Sequence, residues 1–267
     1  MNARAAALLL ALAAAASAAD APKPSRSWAS LPAGAFEMGS MDGDAAERPI
    51  HRVEVKAFEL GKTLVTFKEY RACVEAKACT PPHLGDGSCF VYDKGEWARG
   101  VLPADFQGDE QPVVCVDYDQ AADYAKWAGA RLPTEAEYEY AARSGGQDRA
   151  FPWGNEPADC DRAVMIGGKK PGCDRGATWP VCSKPKGNSD QGVCDLSGNV
   201  WVWLEDWYHE TYEKAPASSA AWLDPPTDKR ASRGGPWTGG PASIRAANRG
   251  KAVPRLRCAR LGFRLAR

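Results

Sequence analysis

The sequence predicts one α+β domain rich in ordered loops, and three observations lead there. Two early stretches, Phe36–Ser40 and His51–Leu60, alternate apolar with polar residues at the period of two that half-buried strands show. Three later segments open with a capping box, Thr66 with Glu69, Asp117 with Gln120 and Thr134 with Glu137, in which each side chain satisfies a backbone N–H that a helix start leaves unpaired. Gly (26) and Pro (20) together make up about a sixth of the 267 residues, above the usual share of about an eighth, so long loops are required.

In chain order, Arg4 precedes an apolar, alanine-rich run from Ala5 to Ala16, and Ala16-Ser17-Ala18 has the small residues of a cleavage site. Residues 1–18 therefore read as a secretory signal peptide, which directs the protein to the periplasm or outside the cell. No later segment approaches the roughly 18 apolar residues of a membrane span, so no transmembrane anchor is expected once the signal is removed. A polar linker over residues 19–27 leads to a domain over residues 28–267, long enough for its own core.

The first helix starts at Thr66 and buries Phe67, Tyr70 and Val74 up to about Lys77. The second opens at Asp117, carries Tyr124, Trp127 and Ala128 on one side, and ends at Gly129. The third begins at Thr134, since Pro133 blocks any helix from upstream, and Ser144-Gly145-Gly146 stops it after Arg143. Periodicity is weak over 147–192 and 215–229, where ordered loop is expected. Seven of the ten tryptophans lie at Trp153 or beyond, as core anchors or as the walls of a ligand groove.

Lys plus Arg (34) equals Asp plus Glu (34), so no global field favours nucleic acid or an acidic membrane, and Lys169-Lys170 reads as solvated surface. Nine cysteines in an exported chain indicate disulfides with one thiol left over. Cys73 and Cys79 are close enough in sequence to bridge, and Cys160, Cys173, Cys182 and Cys194 admit two bridges in three connectivities. Zinc competes for those four, but they contain no C-x-x-C pair. His51, His83 and His209 form no metal motif, and neither a phosphate loop nor a G-x-S-x-G elbow is present.

Some of the wording goes beyond what a helix requires. RLPTEAEYEYAAR over residues 131–143, followed by Pro152-Trp153-Gly154, closely resembles a signature of the sulfatase-modifying-factor family, which includes the formylglycine-generating enzymes. Companion blocks resemble the family in the same order: His51 and Val53 with Thr63–Thr66, Gln111–Val113 with Asp117–Gly129, Gly187–Asp206, Arg233–Gly235 and Leu261–Arg264. The resemblance implies the loop-rich formylglycine-generating-enzyme fold, a relative of the C-type lectin fold.

It also implies a site that this chain does not reproduce. The family's two copper(I)-binding cysteines fall on Gly239 and Ile244, and no cysteine lies between Cys194 and Cys258, so copper is not expected. Pro236 replaces a family serine, whereas Trp203 matches a family tryptophan. Two family disulfides fall on Ala125 with Leu265 and on Ala142 with Ala246, both replaced by apolar pairs. The family's calcium turn has Val202 in place of a ligating glutamate, which leaves Asn199 as the candidate calcium ligand, with Asp195, Glu205 and Asp206 nearby. The resulting expectation is an exported, non-copper member that works as a binding or maturation module for a peptide, a protein partner or a small ligand in the envelope. Its groove would be lined by Trp203, Arg233, Trp237, Gly239, Ile244 and Arg245. The alternative is a divergent oxidoreductase that matures a protein or siderophore-type substrate, with acid or base work from Glu205, Asp206 or Arg245.

Overall fold

The computed structural model describes residues 25–93 and 95–267. The expected signal peptide and most of the linker lie outside the described residues. The chain begins with β1 (Trp28–Leu31), β2 (Gly34–Met38), β3 (His51–Val55) and β4 (Phe58–Gly61). The stretch expected as one strand over 51–60 is divided, because its halves belong to different sheets. β3 pairs antiparallel with β2, β4 pairs antiparallel with β1, and exposed Lys56 and Ala57 join them.

The three helices are α1 (Phe67–Glu75), α2 (Tyr118–Trp127) and α3 (Glu135–Ala142), and all three capping boxes are formed. At α3 the Glu137 N–H donates to Thr134 Oγ1 at 3.1 Å, and the Thr134 N–H donates to Glu137 Oε2 at 3.0 Å. Lys77 follows α1 and Ser144 follows α3 in the left-handed region, which closes both helices as their sequences require.

Between α1 and α2 lies a hairpin absent from the sequence expectation, β5 (Cys89–Asp93) and β6 (Glu96–Gly100). The remaining strands, β7 (Trp201–Trp207), β8 (Arg230–Arg233), β9 (Gly250–Ala252) and β10 (Leu261–Gly262), form one sheet in the order β10-β7-β8-β9. β10 runs parallel to β7 and the other pairings are antiparallel, with a bulge in β7 between Trp203 and Trp207. β7 grows out of the Gly-Asn-Val-Trp motif, whose apolar residues are buried on both faces of the strand and so lack the alternation that marks a half-buried one.

Four disulfides staple the loops: Cys73–Cys79, Cys89–Cys115, Cys160–Cys173 and Cys182–Cys194. The first was expected, the last two select one of the three connectivities, and Cys89–Cys115 ties the base of the β5–β6 hairpin to the chain ahead of α2. Cys258 is the free thiol, and it is buried. Ala125, Ala142, Ala246 and Leu265 all lie in the main core, so the positions of the lost family bridges are packed with hydrocarbon.

Candidate functional site

α3 has no solvent face. Every residue from Glu135 to Ala142 is buried, three glutamates among them, and a buried carboxylate is tolerated only when paired and hydrogen-bonded. Glu137 closes the capping box and also accepts a bidentate pair from Arg131, at 2.7 and 2.6 Å. Glu135 Oε1 accepts from Arg233 Nε at 3.0 Å and Arg249 Nε at 2.7 Å, while Oε2 accepts from Arg249 Nη2 at 2.9 Å. Glu139 Oε1 accepts from Arg143 Nε and from the Gly39 N–H, both at 2.9 Å. Its Oε2 lies 2.8 Å from Arg233 Nη2, an ion pair whose angle falls short of a hydrogen bond. Arg233 is completed by the Ala246 carbonyl at 2.8 Å and by the Tyr212 hydroxyl.

Burial alone would raise the Glu135 carboxyl, but Arg249 and Arg233 outweigh it and hold its pKa at about 2. Asp206, at the N-terminus of α3, moves the other way. Burial first and Glu135 second push it up to about 7, against backbone N–H bonds from Trp222 and Glu135, each 2.8 Å long.

Beyond Arg233 the chain makes the turn on which the family places its copper ligands. Gly235 takes a φ of +76°, and a side chain there would run into the Ser243 carbonyl, so the turn folds tightly on itself. At Gly239 a Cβ would sit 2.9 Å from both Pro236 Cδ and Ser243 Cβ, which leaves no space for a cysteine side chain without rearrangement. Ile244 is fully buried in a small apolar cluster with Phe151, Ala163 and Met165. The free thiol of Cys258 belongs to the main core, where burial raises its pKa and disfavours the thiolate. These residues do not fit a copper(I) ion, because the two ligand positions present a backbone and a hydrocarbon.

The expected groove is corrected by the positions of its residues. Trp203, Trp237, Arg233 and Ile244 have no solvent exposure, and Gly239 is buried too. Both indoles are core pillars whose N–H groups meet backbone carbonyls, Trp203 at Val116 (3.3 Å) and Trp237 at Ala259 (3.0 Å). Tyr92, Trp97 and Phe106 enclose Trp237. Of the six, only Arg245 reaches a cavity. Its guanidinium grips the buried Glu47 through two bonds of 3.0 and 2.6 Å, and faces a cavity of about 320 Å³ shared with Arg143, Arg149, Met41, Ile50 and Asn155.

Asn199, the candidate calcium ligand, is fully buried at a φ of +66° and engaged with Trp179. Its Oδ1 accepts from the Trp179 N–H at 3.2 Å and its Nδ2 donates to the Trp179 carbonyl at 3.1 Å, while Val202 points no oxygen at the turn. Asp195 Oδ2 is likewise taken by the Cys182 N–H at 2.8 Å. Among the described residues no group of three or more His, Cys, Asp or Glu side chains is placed to hold a metal ion. Glu205 is half-buried in a separate, larger cleft of about 1070 Å³ with Arg131, Thr134, Phe58 and Leu223, and burial raises its pKa. The sequence reading missed Glu47, Tyr212 and Arg249, which complete the buried network. The available signal was three glutamates, Glu135, Glu137 and Glu139, in a helix whose other residues are Ala and Tyr, which demands cations from elsewhere.

Compared with known proteins, residues 14–267 match the model of the sulfatase-modifying factor enzyme 1-like domain. The chain is 32% identical over 229 residues to a formylglycine-generating enzyme of Streptomyces coelicolor, covering 72% of each chain. It is 31% identical over 229 residues to inactive C-alpha-formylglycine-generating enzyme 2 of Bos taurus, covering 73% of this chain and 75% of that one. The solved structure of PvdO from Pseudomonas aeruginosa superposes with a TM-score of 0.75 at 32% identity, over 90% of this chain and 93% of that one.

Arg233→Ala should leave Glu135 and Glu139 buried with too few cations and cost about 3–5 kcal/mol, measured by urea denaturation; a loss below about 1 kcal/mol would contradict the network's role. The pH dependence has a definite sign. Asp206 titrates near 7 when folded and near 3.8 when unfolded, so the folded state binds the extra proton and stability falls as pH rises between those values. Glu135 titrates near 2 when folded and near 4.5 when unfolded, so its contribution disappears as pH falls through that window. Melting temperature should therefore decline from about pH 4.5 to 7, and Asp206→Asn should flatten that limb; an unchanged slope in the variant would refute the assignment.

Proposed function

This chain belongs to the sulfatase-modifying factor family, and from that premise we propose that it is an exported member without copper-dependent formylglycine activity. It acts as a binding or maturation module for a peptide, partner protein or small ligand, through the cavity beside Arg245. One observation carries the reading: the family frame around α3 is intact, while Gly239 and Ile244 stand where copper needs two thiolates. A bovine relative of similar identity is itself named inactive, which supports the idea that the frame persists without the reaction. Four disulfides support export, since such bonds persist in oxidising compartments. Asn199 clips the Trp179 peptide group through both ends of its amide.

With added copper, the purified protein should leave a Cys-x-Pro-x-Arg peptide unconverted by mass spectrometry, and aldehyde formation would overturn the main reading. Ligands selected from a peptide library should bind Arg149→Ala or Asn155→Ala at least ten-fold more weakly; both residues line the cavity without belonging to the buried network.

Glu205 favours a second reading, a divergent oxidoreductase that matures a protein or siderophore-type substrate. A half-buried carboxyl with a raised pKa, in the larger of the two clefts, is suited to proton transfer beside an oxidation that uses dioxygen. Oxygen uptake with such a substrate should fall at least a hundred-fold in Glu205→Gln; uptake that is absent from the wild type, or equal in the variant, would remove this reading.

A further inference from the structure

β2 is bonded along only one of its edges. It pairs with β3, where Ala35 stands opposite Glu54 and Glu37 opposite Arg52. In an antiparallel pair the N–H and C=O of one residue point to the same side, and that side alternates along the strand. Glu54 turns both groups away from β2, since its N–H donates to the Ala217 carbonyl at 3.0 Å and its carbonyl accepts from the Ser219 N–H at 2.8 Å. The residue opposite turns away as well, so the main-chain groups of Ala35 and Glu37 face the outer edge of β2. Among the described residues no further strand pairs with β2, and neither residue has a main-chain hydrogen bond beyond that ladder. Solvent reaches this edge, because Ala33, Gly34 and Glu37 are exposed and Ala35 is half-buried.

The edge joins two open spaces. At its start Ala33, Gly34 and Ala35 border the cleft of about 1070 Å³, and at its end Glu37 and Gly39 border the cavity beside Arg245. About five residues of extended chain, rising about 3.4 Å each, would run from one to the other. The charges that line the cavity balance, with Arg143, Arg149 and Arg245 against Glu37, Asp42 and Asp148. Each guanidinium also has a carboxylate of its own, Glu139, Asp190 and Glu47 in turn, so no net charge is left to select an ionic ligand. Met41 and Ile50 give the same cavity an apolar surface, at 57% and 41% exposure. A row of unpaired N–H and C=O groups at strand spacing is matched in full only by another extended backbone, and an apolar recess beside it by one side chain of that backbone. A small ligand fills the recess and leaves the edge bare.

We infer that the ligand of this site is an extended peptide segment, which adds as a strand to the outer edge of β2 and seats a large apolar side chain against Met41 and Ile50. The inference rests on the assignment of ligand binding to the cavity beside Arg245. Its test uses linear ten-residue peptides selected from a random library on the full chain, then resynthesised with N-methyl groups on alternate amides. Methylation of one alternate set should weaken binding at least ten-fold, and methylation of the other set less than two-fold. Ala35→Pro removes an outward N–H and leaves the ladder to β3 untouched, so it should weaken binding at least ten-fold with the melting temperature retained. Met41→Ser/Ile50→Ser should weaken it at least five-fold. Equal effects of the two methylated sets, or indifference to Ala35→Pro in peptides that Arg149→Ala still weakens, would overturn the added strand and leave the cavity assignment standing. Peptides indifferent to Arg149→Ala as well would remove that assignment itself, and a library that yields no binder would overturn the peptide as the ligand.

Discussion

Everything around the signature helix depends on keeping Glu135 and Glu139 paired inside the protein. Removing a carboxylate from water costs several kcal/mol unless cations and hydrogen bonds replace the solvent. α3 cannot supply enough of them itself, since Arg143 is its one local contribution. The others come from far along the chain, Arg233 at the end of β8 and Arg249 just before β9. Both reach the same carboxylate, Glu135. The loop from 234 to 248 is therefore pinned at its two ends by one side chain, and its path is fixed by charge before its own residues are considered. Arg245, within that loop, adds a third tie through Glu47.

Such an arrangement is a poor source of net stability, because well-packed hydrophobic residues can often replace a buried ion pair without loss. Its consequence here is positional. A carboxylate with two guanidinium groups on it accepts few alternative geometries, and Asp206 adds a further constraint by holding the Glu135 backbone N–H at the start of the helix. Glu135 lies close enough to add to the rise in the Asp206 pKa. Glu135 stays ionised because two cations face it, whereas Asp206 has only backbone donors and takes up a proton near neutral pH.

The helices were legible in the sequence because their signals are local. A Thr or Asp with Glu or Gln three residues later specifies a start by contacts that the segment itself contains, and α1, α2 and α3 all begin there. Features that depend on distant partners were not legible. The split between β3 and β4 follows from pairing with two different strands, and the Cys89–Cys115 bridge spans 26 residues with no motif to mark it. The candidate site failed for a related reason. Sequence spacing placed Trp203 and Trp237 beside the turn after Arg233, but not on which side of it, and their N–H groups found buried carbonyls. Arg245 alone kept a surface, because its guanidinium binds Glu47 from the cavity side.

The turn after Arg233 keeps its path through contacts that no metal ligand makes. If copper ligands had organised the turn, their loss would leave it without a fixed path, and Gly239 and Ile244 would be expected in a loosened loop. The turn is instead held from outside by Glu135, Glu47 and the tight passage of Gly235 past Ser243. Within that fixed path the two positions are free to take whatever packs. Ile244 is fully buried against Phe151 and Met165, worth about 1.5–3 kcal/mol for a side chain of its size. Gly239 lets Pro236 and Ser243 approach where a thiol would have stood. The packing of these two positions thus involves none of the residues that define the signature, so RLPTEAEYEYAAR reports the frame and is silent on the reaction.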